Sequence, residues 1–309
     1  MYKKKSSVPE LVEEFLSYQK NIRNLSDNSI HGYHLDLQKL MEITETTQKD
    51  SSLATITLSD LRSCVGVLSR EKKSPASINR FIAGVRNFFA YCYRFGYISS
   101  NPALDLKTVK LPQRIPRYMT EGEVDALCEQ PSLKPLLWES RDKALFELLY
   151  SSGCRVSELA AMRMEDLGTG YSSAMITGKG KKDRRIFFSK EGVLCLKQYL
   201  VERKELLQKH QDGLKIHQVF LNKKGTALTA RGIRYIVSRY SSLEGTNKPV
   251  SPHSFRHTFA TTMLTEGADV RVVQELLGHS SISTTQRYTH VTKAQLIDIY
   301  NRAHPHGST

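Results

Sequence analysis

The sequence predicts a mainly α-helical protein of two domains: a four-helix N-terminal domain, then a larger, mostly helical domain with one small β-hairpin. Three observations lead there. Apolar residues recur at helical spacing through the first hundred positions without an alternating, strand-like run. Prolines and basic residues interrupt that pattern between residues 104 and 118. Farther on, a Gly-Lys-Gly turn separates two short β-prone runs. At roughly 150 residues per domain, 309 residues suit two separate cores.

Leu11, Val12, Phe15 and Leu16 stripe one face of a first helix. Ser29 to Ile43 sets Ile30, Tyr33, Leu37, Leu40 and Met41 on one side of a second. Leu58 to Leu68 is a shorter third, and Ala76 to Phe95 packs Ile78, Phe81, Ile82, Val85, Phe88 and Phe89 in a fourth. These four make a bundle over residues 1–103. Asn101-Pro102 stops the last helix, and residues 104–118 carry Lys107, Lys110, Arg114 and Arg117 among Pro112 and Pro116, the composition of an interdomain linker.

The second domain, 119–309, opens at Thr120-x-x-Glu123, a capping-box signature. Gly153 can end a helix containing Leu145 to Tyr150, and Arg155 starts another. Tyr171 to Thr177 and Arg185 to Phe188 pair as a hairpin around Gly178 to Asp183, with a basic tip. Ser251 suits a helix N-cap and Pro252 the first helical position. Asp269 to Leu277 forms a helix ending at Gly278, and Ser283-x-x-Gln286 can cap one carrying Tyr288. In Lys293 to Ala303, Leu296, Ile299, Tyr300 and Ala303 form an apolar stripe, ordinarily one that packs on its own domain.

Forty-five Lys and Arg against 31 Asp and Glu leave a net charge of +14, which favours a polyanionic partner. With 39 % hydrophobic and 25 % charged residues, disordered and collagen-like classes are excluded, and no internal repeat suggests a solenoid. The five cysteines are odd in number and contain no C-x-x-C pair, as expected of a reducing compartment. An N-terminus without an apolar signal region, and no run of bilayer-spanning length, lead to the expectation of a soluble cytoplasmic protein away from membranes.

Candidate chemistry begins at His253 and Arg256. Three residues apart in a first helical turn, they share a face where free N–H groups and the helix dipole favour an anion such as phosphate. Read alone, H-x-x-R-H is more often a pair of satisfied histidines. A zinc reading of His253 and His257 is weaker still, because Arg256 would repel a cation and no third ligand presents itself. Arg155 by itself is a solvated charge or a partner for Glu158 or Asp166.

At the hairpin, Lys179, Lys181, Lys182, Arg184 and Arg185 oppose the single acid Asp183, a cluster that could contact phosphates. Lys179, nearest the first strand, could protonate a departing oxygen. The segment around Gly278 also fits a helix-turn-helix reader, in which Gln286 and Arg287 touch DNA and Tyr288 merely packs.

Taken together, Gly153-x-Arg155-x-Ser-Glu-Leu, Gly178-Lys-Gly-x-Lys-x-Arg184, His253-x-x-Arg256-His-x-Phe-Ala260, Leu277-Gly-His279 and Thr284-Thr-x-x-Tyr288 resemble, in order, the motifs of the tyrosine recombinase (integrase) family. Asn101-Pro, Leu111-Pro-Gln-Arg-Ile-Pro116 and Val270-Arg-Val-Val-Gln-x-Leu-Leu-Gly-His279 resemble its Xer branch, over nearly the whole chain. The length fits a Xer subunit without an added arm-binding domain. Departures are small: Ser152-Gly-Cys154 precedes the arginine where threonine, glycine and an aliphatic residue are usual, and Phe255 replaces a common leucine.

The resemblance implies an N-terminal core-binding, SAM-like helical domain and a C-terminal catalytic domain, clamped around duplex DNA. It implies that Tyr288 attacks a phosphodiester to form a 3′-phosphotyrosyl link, with Arg155, Lys179, His253, Arg256 and His279 completing the catalytic set. Arg80, Arg86, Lys181, Lys182 and Arg184 would contact DNA. No metal and no nucleotide cofactor are needed. Implied partners are a specific double-stranded DNA site, other recombinase subunits in a homo- or heterotetramer with the C-terminal stripe docked on a neighbour, and, as in many Xer systems, a cell-division DNA translocase. The implied role is resolution of chromosome dimers during segregation. A type IB-like topoisomerase and a non-catalytic helix-turn-helix binder are the rival classes. Which of the paired Xer-type subunits this is stays open.

Overall fold

The computed structural model describes residues 7–47, 53–112, 118–178, 183–209, 216–241, 250–278 and 299–303. The chain divides into two compact units that meet between residues 115 and 116.

The first unit holds α1 (Val8–Asn21), α2 (Asp27–Thr47), α3 (Leu58–Arg70) and α4 (Pro75–Arg94), the four helices the apolar stripes predict. Their starts are encoded locally. Ser7 and Glu10 cap α1 reciprocally, Thr57 and Asp60 cap α3, and Ser74 precedes Pro75 at the first position of α4. The stripes meet in a core around Phe15, Leu37, Leu61, Val85 and Phe89, where the Phe15 and Phe88 rings pack edge-on at 5.5 Å.

Part of the expected linker belongs to this unit. Ala103 and Leu106 are buried in its core, and Asn79 of α4 holds Val109 through both amide atoms, at 2.9 and 2.8 Å. Two apolar side chains and one well-placed amide hold the segment down as far as Val109.

The second unit contains α5 (Glu121–Leu133), α6 (Glu139–Ser152), α7 (Val156–Ala161), β1 (Ser173–Thr177), β2 (Asp183–Phe187), α8 (Lys190–Gln208), α9 (Ala230–Ser241), α10 (Pro252–Thr265) and α11 (Val270–Leu277). Thr120 and Glu123 form the capping box that opens α5. At the centre lies α6, almost entirely buried, with α5, α8 and α10 against it. Its buried Asp142 is held by several donors: Arg141 donates to it at 2.6 and 2.8 Å, and the Tyr240 hydroxyl donates to the same carboxylate at 3.2 Å.

β1 and β2 form the expected antiparallel hairpin, registered from Ser173 opposite Phe187 to Thr177 opposite Asp183. β2 thus starts two residues earlier than its apolar pattern indicates. Residues 299–303 are helical, and Tyr300 and Ala303 are buried with Phe187 and Phe259 of the same unit. In this structure that part of the C-terminal stripe packs on its own domain. No described helix is long and apolar enough to cross a membrane.

Candidate active site

Two glycine turns shape the site. At the end of α6, Gly153 adopts φ +57°, and a Cβ there would lie 2.6 Å from the Phe259 ring. Gly278 ends α11 at φ +63°, and a Cβ there would meet the Arg184 guanidinium at 2.9 Å. Both positions need the left-handed backbone and the missing side chain together. With these turns made, three arginines from separate elements reach one place.

They converge on the last carbonyls of α11. Arg184 of β2 donates through Nε to the Leu276 oxygen at 3.0 Å. Arg256 of α10 donates to the Leu277 oxygen at 2.7 Å and to the Gly153 oxygen at 2.8 Å. Arg155, at the start of α7, donates to the Gly278 oxygen at 3.3 Å. A helix C-terminus presents unpaired carbonyls and partial negative charge, and so orients cations.

The one carboxylate in the cluster among the described residues is Glu158, which is buried. Its Oε2 accepts the Arg155 backbone N–H at 2.7 Å and Arg184 Nη2 at 2.8 Å; its Oε1 accepts Arg155 Nη1 at 2.9 Å and Arg184 Nη1 at 3.0 Å. Burial pushes the Glu158 carboxyl up, but the Arg184 fork and the Arg155 N–H outweigh it and hold the group below its ordinary range. Burial first, and then the neighbouring Arg155, lower Arg256 to about 10, so it stays cationic at neutral pH. Among the described residues, three guanidinium charges therefore face a single carboxylate, a field that calls for an anion.

The sequence-predicted residues fall into three groups. Arg155 and Arg256 are brought together as expected, and Ser251 and Pro252 start α10 with His253 exposed in its first turn. Arg80, Arg86 and Arg184, expected to contact DNA, each have a partner within the chain. Arg184 sits below the hairpin tip, opposite Ile176, with a side chain only 11 % exposed, because Glu158 and Leu276 engage its fork. Arg86 is half-buried and donates to the Leu106 carbonyl, while Arg80 is exposed yet paired with Asp36 at 2.8 Å. Lys179, Lys181, Lys182, His279 and Tyr288 lie outside the described residues.

Sequence reasoning passed over Glu158 as a site residue, treating it as an ordinary surface partner. The signal was present: an acid three residues after Arg155 at a helix start is a capping position, and capping draws the carboxylate inward.

Comparison with known proteins decides the family. Residues 117–295 match the family model described as the phage integrase family, and residues 12–96 match the phage integrase N-terminal SAM-like domain. The chain belongs to the phage integrase family. Tyrosine recombinase XerC of Treponema denticola is 44 % identical over 304 residues, spanning 96 % of this chain and 99 % of its own. Tyrosine recombinase XerD of Listeria monocytogenes is 38 % identical over 298 residues, spanning 96 % and 99 %. The chain is thus a tyrosine recombinase of the Xer type, an enzyme of site-specific DNA cleavage and rejoining. Its fold resembles that of XerH site-specific recombinase bound to a palindromic difH substrate, with TM-score 0.68 and 23 % identity over 98 % of this chain and 87 % of that one. It also resembles a lambda integrase tetramer bound to a Holliday junction, with TM-score 0.68 and 17 % identity over 92 % and 80 %.

Proposed function

We propose that the arginine cluster holds the scissile phosphate of a specific duplex DNA site and that Tyr288 is the nucleophile. The observation that carries this reading is the meeting of Arg155 and Arg256 at adjacent carbonyls of α11, beside one already saturated carboxylate. Two planar guanidiniums suit the non-bridging oxygens of a phosphodiester, and their field acts most strongly as charge builds in the transition state.

The reaction is a transesterification. The Tyr288 oxygen attacks phosphorus, the bond to the 5′ oxygen breaks, and a 3′-phosphotyrosyl link remains. A tyrosine hydroxyl of pKa ~10 needs a base and a positive field at neutral pH. His253 takes its proton, Lys179 protonates the departing 5′ oxygen, and His279 adds a donor to the phosphate. The phosphotyrosyl link keeps the free energy of the phosphodiester, so rejoining needs no nucleotide. In the second unit, Lys181 and Lys182 extend the positive surface along the DNA backbone. Relatives named XerC and XerD support assembly with like subunits on DNA and a role in separating joined chromosomes.

Covalent capture tests the reading. Protein is mixed with fragmented genomic DNA in EDTA and denatured, and the ends of protein-linked DNA are sequenced. The wild type should give adducts at a recurrent sequence, and Tyr288→Phe should give none while keeping DNA affinity. A Tyr288→Phe variant that still forms adducts would remove Tyr288 from this role.

A further inference from the structure

We propose that Arg184 is a positioning residue for strand cleavage: by saturating Glu158 it leaves Arg155 available for the phosphate. This rests on the reading that Arg155 holds the phosphate. The observation is that the two arginines share one carboxylate, each bonding both of its oxygens, Arg184 at 2.8 and 3.0 Å and Arg155 at 2.7 and 2.9 Å. Arg184 is built in. Its third bond reaches the Leu276 carbonyl at 3.0 Å, and its guanidinium lies 2.9 Å from where a Cβ on Gly278 would stand.

Consider Glu158 without Arg184. It would remain buried, with the Arg155 guanidinium as its remaining cationic partner. A buried carboxylate is unfavourable unless charged donors surround it, so it would draw Arg155 into a tighter pair. That pairing competes directly with a phosphate for the same fork. With Arg184 present, the negative charge is already offset, and Glu158 instead fixes the start of α7 through the Arg155 backbone N–H. Arg184 also ties β2 to α7 and α11, so the strand leading from the hairpin tip is registered against the arginine pair. All three nitrogens of the Arg184 guanidinium are already engaged, by both Glu158 oxygens and the Leu276 carbonyl.

The test compares five variants, the single substitution Glu158→Gln among them, on a nicked duplex substrate whose cleavage is irreversible, reading the single-turnover rate, the DNA dissociation constant and its salt dependence. Arg184→Gln should slow cleavage by roughly 10- to 100-fold, the scale of losses from misplacing a reacting group. Its DNA affinity should stay within about twofold and its salt slope unchanged, in contrast to loss of a phosphate contact, which lowers the slope by about one. The decisive variant is the double substitution Arg184→Gln with Glu158→Gln. If Arg184 acts by offsetting the Glu158 charge, removing that charge should restore part of the rate lost in Arg184→Gln alone. Arg184→Lys keeps the charge without the fork and should fall between wild type and Arg184→Gln, which carries the test should Arg184→Gln fail to fold.

A double variant that loses the two effects additively would overturn the proposal in favour of separate structural roles. Weakened DNA binding with a smaller salt slope would overturn it in favour of direct contact. Arg155→Ala separates the layers: if it cleaves at the wild-type rate, the phosphate-holding reading has failed; if it is inactive while Arg184→Gln cleaves normally, only the positioning role has.

Discussion

Each unit of the molecule buries a carboxylate beside an arginine, and the two behave in opposite ways. In the first, Asp36 accepts 2.8 Å from Arg80, whose side chain is 60 % exposed, and its second oxygen, Oδ2, has no hydrogen-bond partner among the described residues. Burial therefore dominates over Arg80 and raises the Asp36 carboxyl above its ordinary value of 3.8. In the second, Glu158 is no more exposed, yet four charge-assisted or backbone N–H donors saturate both oxygens and its carboxyl is lowered. Between these two acids the added charged donors at Glu158 reverse the direction that burial sets, whereas at Asp142, fully buried, burial still raises the carboxyl despite four donors.

The largest expected effect comes from breaking the saturated member. Glu158→Ala leaves two guanidiniums without their shared anion and should cost about 3–5 kcal/mol of unfolding free energy in urea titrations. Asp36→Asn should cost far less or stabilise, and equal losses at the two sites would break the contrast. Titration sharpens it by sign. Because the folded Glu158 lies below its ordinary 4.5, its contribution is present above that pH and is lost as pH falls through the folded value. Because Asp36 is raised above 3.8, its contribution is present below that pH and is lost as pH rises through the folded value. Stability measured from pH 3 to 7 should therefore lose its acid-side rise in Glu158→Gln and steepen in Asp36→Asn.

Next in size is the backbone that brings the arginines together. Gly153→Ala forces an alanine into the left-handed region and drives its Cβ against the Phe259 ring, for a loss of about 2–4 kcal/mol. Gly84→Ala in α4 meets ordinary contacts of 3.4–3.5 Å and should be neutral or stabilising by up to about 1 kcal/mol. Thermal melts of the pair check this, and a tolerant Gly153 would mean the turn is not what aligns Arg256. The smallest effect is Arg80→Ala. With so exposed a partner, the loss should stay below about 1 kcal/mol, since Asp36 can take a proton instead. A larger loss in denaturant titration would show that Arg80 is as structural as Arg184.

Much of the fold was legible because its signals are local. Leu11 to Leu16, Thr120-x-x-Glu123 and Ser251-Pro252 each state a helix face or a helix start within a few residues, and the structure has them there. The linker carries more than its composition states: Pro112 and Lys107 mark a segment that does not continue the helix, while Leu106 and Val109 find partners on α4 that no local pattern announces. Among site residues, Arg155 and Arg256 stood out through motif order. Arg184 was read as one more charge of a basic tip because spacing along a hairpin does not tell which side chains turn back into the domain.

By itself, then, the sequence determined the four helices of the first domain, several helix starts of the second, that the chain joins a small hairpin to a helical catalytic domain, and which recombinase motifs occur in what order; α8 and α9 it left unmarked. These follow from spacing, caps and residue type, all short-range properties of the chain. Tertiary structure alone decided what the arginines do. Arg155, Arg184 and Arg256 are far apart in sequence, and only the packing of α7, β2, α10 and α11 sets all three against the end of one helix. Whether a guanidinium is free for a phosphate or spent on a carboxylate depends on distances of 2.7–3.3 Å between those elements, and that is a property of the folded core.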